Sequence, residues 1–419
     1  MKRLAFLLST LLPLPVLAAE PAYPDLPPRP VVEAALNSNL SVMTAETGIK
    51  VEKANQRRWE EGPHEFSLRM GTARRQVVSA EQRLREWDVA LERPIRLPNK
   101  ASIDSDIGAA GVSRADYALG DARHEASRLL LRLWFNLQRE RATAAQWQQQ
   151  VDILEQQAKA TEKRLAAGDA PKMELNQARA AVAQSTVALQ QAKVRAGLAA
   201  TELVRQFPGM VLPEQTASAT PQAVEQDYAY WKKLVFDHNH ELGMVQSDAR
   251  IQLLHAQRAR ADRVADPTIG LRYSNEMGGN ERVTGVYVVV PFSFGVRGAI
   301  AEGAGYQSEI AAEREAAVKR RLESDIANAF AQSVGNYESW RQAHEAAVSV
   351  RENADLVARA YGLGESSLSD VLTARRLALE SSLAETVAQL DANEARYRLL
   401  LDAHLLWPLE EKEGAGEQH

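Results

Sequence analysis

Residues 161–179 read TEKRLAAGDAPKMELNQAR, and residues 357–375 read VARAYGLGESSLSDVLTAR. The two stretches align at a constant offset of 196 residues, which places Gly168 on Gly364. The same offset holds as far as Phe207, through segments that are long and rich in helix-forming residues. A chain that repeats itself in this way is predicted to be an internally duplicated protein built mainly from long helices.

Composition limits the class of protein. The chain has 419 residues, of which 45% are hydrophobic and 25% charged, as in ordinary folded chains. The net charge of -5 argues against a nucleic-acid partner, which would require a basic surface. Cysteine is absent, which excludes disulfides, thiol chemistry and cysteine-ligated metals.

The first residues predict export. Two basic residues precede an apolar run from Leu4 to Leu17, and small residues follow the run. This pattern is typical of a cleaved secretory signal, so we expect residues 1–19 to be a signal peptide. A buried N-terminal helix is the alternative, but Pro13 and Pro15 would break it. No other apolar run approaches the roughly 20 residues of a transmembrane helix.

The rest of the chain divides into two repeats. We predict a first repeat over 20–209, a linker over 210–221, a second repeat over 222–408 and a charged tail over 409–419. Each repeat should contain a helix, a pair of strands, a long helix and a further helix. The expected helices are 31–60, 113–167, 172–207, 222–263, 299–362 and 368–406, and the expected strand pairs are 65–76/86–96 and 267–274/283–294. Within the first helices, Asn37 is expected to correspond to Asn239.

The strands alternate between apolar and polar residues, which is the pattern of strands with two different faces. The apolar positions are Phe66, Leu68, Met70, Trp87, Val89, Leu91, Ile269, Leu271, Tyr273 and the run 286–290, and the opposite positions include Arg69, Asp88, Glu92 and Arg272. One face would suit lipid and the other a wet lumen. Four strands in one chain leave two open edges, and three copies would close twelve strands around an aqueous channel. The long helices would continue that channel.

Three segments of this sequence resemble the TolC-like outer-membrane efflux proteins. Residues 164–179 and 361–375 are similar to the turn and helix at the periplasmic tip of that family, and 288–295 is similar to its strand-to-helix passage. The resemblance covers essentially the whole mature chain. It implies a mainly α protein with transmembrane β-structure, in which a homotrimer forms a 12-stranded outer-membrane barrel, four strands per chain. An α-helical barrel about 100 Å long would continue it into the periplasm.

The resemblance also implies a gate at the periplasmic end, where aspartates ring the tunnel and polar links hold the inner helices. Asp370 matches the first ring aspartate, and Thr373 occupies the second position, so one acidic ring is expected instead of two. Tyr361 matches a gate tyrosine that pairs with an acidic residue, here Glu174. Ser366 stands where the family has a gate arginine, so that link is expected to be missing. The expected tip turns contain Gly168, Pro171 and Gly364.

Physical reasoning leaves the role of these acids open. Three Asp370 carboxylates near an axis would repel one another, raise one another's pKa and attract cations. Alternatively, Asp370 and Glu174 are first-turn acids that the helix dipole favours.

No sequence motif predicts chemistry. His238 and His240 lie two residues apart, which on one helix puts them on different faces. The other histidines of interest, His64, His124, His255, His344 and His404, are scattered along the chain. A phosphate-binding loop, a nucleophile elbow and a zinc-protease motif are all missing from the sequence. We therefore predict a non-enzyme without cofactor or metal site.

The leading functional prediction is a passive outer-membrane export duct, reaching into the periplasm, in a tripartite efflux complex. Its implied partners are a second and third copy of the chain, a periplasmic adaptor, an inner-membrane RND-type pump and outer-membrane lipid. The length, the Gly278-Gly279 loop and the strand passage resemble components of cobalt–zinc–cadmium efflux systems, so metal cations are the expected substrate. Drug export and type I protein secretion stay open. A periplasmic adaptor would need additional modules rich in short strands, and a structural rod would leave the strand pairs unexplained.

Overall fold

The computed structural model describes residues 23–213, 218–292 and 295–407. The predicted signal peptide and tail lie outside these residues, as do part of the predicted linker and part of the strand-to-helix passage. The described chain is mainly helical and contains one four-stranded sheet, so the predicted fold class of the protomer is confirmed. None of the helices in the described ranges is both long and apolar enough to cross a membrane.

Eight helices and four strands follow one another in two similar halves of the described chain. The helices are α1 (Arg29–Asn37), α2 (Leu40–Glu61), α3 (Pro98–Ala166), α4 (Lys172–Gln206), α5 (Tyr228–Asp237), α6 (His240–Ala261), α7 (Val296–Leu363) and α8 (Leu368–Asp402). The strands are β1 (Ser67–Val77), β2 (Gln82–Pro94), β3 (Thr268–Glu276) and β4 (Glu281–Val289).

Two helices dominate the molecule. α3 has 69 residues and α7 has 68, and each is about 100 Å long at the usual helical rise. α3 begins at Pro98, fifteen residues before the expected position, because proline is favoured in the first turn, where its missing N–H costs no hydrogen bond. α4 and α8 fold back along α3 and α7 and form two long hairpins.

The first helix of each repeat is broken where the sequence predicted a continuous one. Asn39 and Asn239 are the N-caps of α2 and α6, and their side chains accept hydrogen bonds from the backbone N–H groups of Ser41 (2.9 Å) and Leu242 (2.7 Å). The break pairs Asn39 with Asn239, an offset of 200 residues. The expected match of Asn37 to Asn239 is therefore wrong by two residues.

The sheet has the order β1-β2-β3-β4, and every neighbouring pair is antiparallel. β2 begins at Gln82, four residues before the expected position, β3 ends at Glu276 and β4 begins at Glu281, so both hairpin turns are tighter than expected. β1 and β4 are the two edges of the sheet within one chain. β1 and β3 run from the helices to the hairpin turns, and β2 and β4 run back, so both turns lie at the end of the sheet opposite the helices.

The main core lies midway along the helices. Leu130, Trp134 and Phe135 of α3 pack with Leu203 of α4, and all four are almost fully buried. Burying each such side chain contributes about 1.5–3 kcal/mol. The segment before α1 is fixed to the same region, because the Asp25 carbonyl accepts a hydrogen bond of 2.7 Å from the Trp134 indole N–H.

Candidate functional site

The two hairpin turns are built alike. The backbone N–H of Asp169 donates to the Arg164 carbonyl at 2.8 Å, and the N–H of Glu365, 196 residues later, donates to the Ala360 carbonyl at 2.9 Å. Each turn contains a glycine with positive φ, which is +85° at Gly168 and +82° at Gly364. Such turns end helices in a left-handed residue, which glycine adopts without strain. The duplication seen in the sequence is therefore present in the hydrogen bonds of the tip.

The two hairpins are joined at this tip by one side chain. The Tyr361 hydroxyl, in the last turn of α7, donates a hydrogen bond of 3.0 Å to the Glu174 carboxylate, in the first turn of α4. The Arg164 guanidinium of α3 lies 4.9 Å from the centroid of the Tyr361 ring. Burial raises the pKa of the Tyr361 hydroxyl, and the bond to Glu174 raises it further, so the phenol remains the donor. Sequence reasoning missed Arg164.

Asp370 caps its own helix. Its carboxylate accepts hydrogen bonds from the Ser367 hydroxyl (2.7 Å) and backbone N–H (3.1 Å), while the Ser367 hydroxyl accepts from the Asp370 N–H (3.2 Å). This reciprocal arrangement is a capping box at the start of α8. The bonds from Ser367 lower the pKa of the Asp370 carboxyl, and the residue is exposed in the protomer.

The remaining predicted tip residues stand near Asp370 or in the first repeat. The Ser366 hydroxyl donates to the Asp370 carboxylate at 3.3 Å. The Thr373 hydroxyl donates to the Ser369 carbonyl at 2.9 Å, within α8, and Thr373 lines a groove of about 420 Å³ between α3, α4 and α8. Pro171 is the N-cap residue of α4 and provides no side-chain cap, so the two turns differ in how they start the next helix.

The sheet has one apolar and one polar face. Leu68 pairs with Leu91, Leu91 with Leu271, and Leu271 with Val286, so an apolar row crosses all four strands on one face. Met70, Val89 and Tyr273 form the next row on that face. We call this surface the apolar face. The alternation predicted for β1 to β3 is confirmed by this register.

Ion pairs cover the opposite surface, which we call the polar face. Arg69 lies 3.4 Å from the Glu92 carboxylate and donates to the Tyr287 hydroxyl at 3.2 Å, and that hydroxyl donates to Glu92. Arg75 donates to Glu86 at 2.6 Å. The expectation that the whole run 286–290 faces lipid is wrong, because the register puts Tyr287 and Val289 on the polar face.

Several solved structures of outer-membrane proteins share this architecture. The Campylobacter jejuni CmeC outer membrane channel is similar over 91% of this chain and 86% of its own, with a TM-score of 0.74 and 14% identity. The outer membrane protein VceC of Vibrio cholerae has a TM-score of 0.74 and 15% identity over 91% of this chain and 96% of its own. The open state of the Neisseria gonorrhoeae MtrE outer membrane channel has a TM-score of 0.66 and 17% identity, over 91% and 89%. No protein-family model matches the chain, and no curated protein matches it.

The chain has the fold of these outer-membrane channels. At 14–17% identity the likeness concerns the fold, and the chain spans nearly the full length of each of the three structures.

Within this channel fold, four histidines converge at the junction of α5 and α6. The ring centroids of His124, His238 and His240 lie 5.5, 5.5 and 5.0 Å from that of His404. The expectation that His238 and His240 share one helix is wrong, because Asn239 separates α5 from α6. Across the described ranges, no group of three or more histidine or acidic side chains is arranged to hold a metal ion.

Burial makes this histidine cluster hard to protonate. It lowers the pKa of His124 to about 2, with Arg128 as the next cause, and that of His404 to about 4, with His240 and His238 adding to the effect. Asp402 lies 3.4 Å from His124. The two asparagine caps were the sequence signal that could have revealed the junction.

Proposed function

We propose that this chain is a TolC-like outer-membrane efflux protein that acts as a passive export duct. The observation that carries the proposal is the two-faced sheet, whose apolar face suits lipid and whose ion-paired face suits water. The likeness in fold to outer-membrane channels supports the same assignment. In this proposal, residues 1–19 direct export and the long helices extend from the outer membrane into the periplasm.

The open edges of the sheet favour a homotrimer. Unpaired backbone groups at β1 and β4 would each cost several kcal/mol in lipid, and closing the sheet with other copies removes that cost. Three copies supply twelve strands, with every polar face turned to the lumen. α3, α4, α7 and α8 would then form the walls of a periplasmic tunnel.

The tip is proposed to be the gate. The Tyr361–Glu174 bond would hold the two hairpins together, and Asp370 would form a single acidic ring near the axis. Thr373 would leave the second ring uncharged, and Ser366 would replace a longer-reaching arginine link. In a ring, the three carboxylates would raise one another's pKa, which is opposite to the effect of the capping box in one protomer.

The proposed partners are a periplasmic adaptor and an inner-membrane RND-type pump, with metal cations as the transported substrate. The charge of the polar face favours cations. It carries five acids, Glu86, Asp88, Glu92, Glu276 and Glu281, and three arginines, Arg69, Arg75 and Arg272. Drug export and type I protein secretion are the alternative uses of the same duct.

Cell fractionation and planar-bilayer recording test the duct. We expect the protein in the outer-membrane fraction, as a detergent-extracted trimer that conducts ions and prefers cations. A monomer that stays in the soluble periplasmic fraction would instead support a structural rod or an adaptor. A deletion strain sensitive to cobalt, zinc and cadmium would support metal export, whereas sensitivity to drugs alone would favour the alternative.

A further inference from the structure

Acidic residues are confined to one of the two faces of the sheet. All five acids of the strands lie on the polar face, and the apolar face carries arginines but no acid among the residues of β1 to β4. The arginines of the apolar face are Arg74, Arg83, Arg85, Arg93 and Arg282. A lipid-facing surface would ordinarily exclude charge, so these positions need an explanation.

Four of these arginines gather at the hairpin end of the sheet, and we call them the arginine belt: Arg74, Arg83, Arg85 and Arg282. Arg74 and Arg85 are direct cross-strand partners, an arrangement in which like charges repel. All four are exposed, and none has a carboxylate within 4.0 Å among the described residues.

Arginines elsewhere on the sheet behave differently. On the polar face, Arg69, Arg75 and Arg272 each lie within 4.0 Å of a carboxylate. Arg93, at the helix end of the apolar face, donates to the His64 carbonyl at 3.1 Å and lies over the Phe66 ring. Among the arginines of this sheet, those of the belt are therefore the ones for which the described residues offer neither a carboxylate within 4.0 Å nor the carbonyl and ring contacts that hold Arg93.

On the apolar face, aromatic and then aliphatic side chains follow the belt toward the helix end of the sheet. Trp87 and Tyr273, with ring centroids 5.6 Å apart, lie on the same face at the edge of the aliphatic rows. Toward the helix end follow Leu91 and Leu271. Along β1 and β2, cationic, then aromatic, then aliphatic side chains reproduce the order of headgroup, interface and hydrocarbon in a bilayer, while Arg282 on β4 lies in the same row as Trp87.

We propose that the arginine belt binds the phosphate groups of an outer-leaflet lipid, a phosphorylated glycolipid whose acyl chains cover the apolar face. A guanidinium group offers a planar fork that binds two phosphate oxygens, and a phosphate between Arg74 and Arg85 would cancel their repulsion. The apolar rows beside the belt favour a lipid over a free anion. This inference rests on the proposed function, because it places the hairpin end at the outer surface of the outer membrane.

Native mass spectrometry of the trimer with added lipid A tests the belt. The probes are lipid A with two phosphates and lipid A from which both phosphates have been removed. We expect Arg74→Gln/Arg85→Gln to weaken binding of the diphosphorylated lipid about tenfold, the effect of one charge-assisted hydrogen bond. Binding of the dephosphorylated lipid should be weak and equal in all variants. Arg282→Gln is a second, single variant expected to act in the same direction.

The matched control is Arg69→Gln/Arg272→Gln, which removes two arginines from the polar face of the same sheet. It should leave binding of lipid A unchanged. Equal binding by the belt variants, the control and the wild type would overturn the inference. The inference would also be overturned if millimolar inorganic phosphate competed with diphosphorylated lipid A on equal terms, because that would indicate a free-anion site. Trimer formation and outer-membrane fractionation, measured on the same samples, test the proposed function separately.

Discussion

The Tyr361 hydroxyl lies 3.0 Å from the Glu174 carboxylate, and this hydrogen bond links the end of α7 to the start of α4. It therefore crosses between the two repeats, whereas the turns themselves are stabilised within each repeat. Arg164 stacks on the tyrosine ring from α3. One side chain thus contacts two other long helices at the point where the hairpins turn.

Replacing Tyr361 with phenylalanine should loosen the tip without disturbing the core. The change removes one hydrogen bond to a charged, half-buried acceptor, which we expect to cost about 1.5–3 kcal/mol. Backbone amides of the two turns should exchange faster with deuterium, while those near Trp134 keep their rates. If the bond holds the proposed gate closed, the variant trimer should also conduct more current in planar bilayers.

A double-mutant cycle gives the control for this bond. Glu174→Gln retains an acceptor and should have a smaller effect than Glu174→Ala. The double variant Tyr361→Phe/Glu174→Ala should be hardly less stable than the more affected single variant, because both remove the same bond. Fully additive losses would show that the bond contributes nothing.

Gly364 should resist substitution for conformational reasons alone. Its φ is +82°, and a Cβ added there would meet no atom within 4 Å. Alanine should therefore cost roughly 1–2 kcal/mol through backbone strain. Gly362, two residues earlier inside α7, also has open space around it, and alanine there should stabilise the helix by about 0.5–1 kcal/mol. Thermal unfolding of the two variants measures the difference, and shifts of equal size and sign would contradict it.

Local patterns predicted the hairpins and the sheet because each depends on short-range chemistry. Gly168 and Gly364 end helices through their own backbone freedom, and alternation along β1 and β2 fixes which side chains share a face. The Tyr361–Glu174 bond was predicted through a family resemblance rather than from the residues, since nothing local says that α7 ends beside α4.

Tertiary placement explains what the sequence did not reveal. Asn39 and Asn239 break helices whose apolar pattern continues, because a side-chain cap competes with one more turn of helix. His404 meets His124 only after α8 packs against α3, so residues that look scattered in sequence are brought together by long-range packing. Tyr287 was misplaced because a nearly continuous apolar run conceals a period of two.

Two variants separate the two interpretations of Asp370. Asp370→Asn removes the charge and keeps an oxygen that can accept the Ser367 hydrogen bonds, whereas Ser367→Ala breaks the capping box and keeps the charge. An acidic ring predicts that Asp370→Asn weakens block of the channel by divalent cations and that Ser367→Ala does not. Bilayer recordings with added divalent cations measure this block.

The alternative interpretation, a cap alone, gives the opposite pattern. Amide exchange at the start of α8 should then rise clearly with Ser367→Ala and only slightly with Asp370→Asn, with cation block unchanged in both. Because bonds from Ser367 lower the pKa of Asp370, the cap stabilises α8 above the carboxyl's ordinary pKa and is lost as pH falls through its lowered value.

The histidine cluster should make the protein less stable in mild acid. The pKa of His404 is lowered to about 4 by burial and by His240 and His238, whereas an unfolded histidine titrates near 6.5. Between these values the unfolded chain binds more protons, so the contribution of His404 is complete above pH 6.5 and is lost as pH falls toward 4. His124, with its pKa near 2, extends the loss to lower pH. The thermal midpoint should therefore fall between pH 7.5 and 5.

Variants at two positions should change this acid response in opposite directions. His404→Asn removes a titrating ring and tolerates the local φ of 58°, so the fall in thermal midpoint should shrink. The pKa of Asp121 is raised to about 6 by burial, then by Glu125 and Glu241, so its protonation stabilises the fold as pH falls. Asp121→Asn removes that opposing effect and should enlarge the fall. Thermal melts of both variants at pH 7.5 and 5 measure this difference. If the thermal midpoint of His404→Asn fell by as much as that of the wild type, the cluster would not govern acid stability.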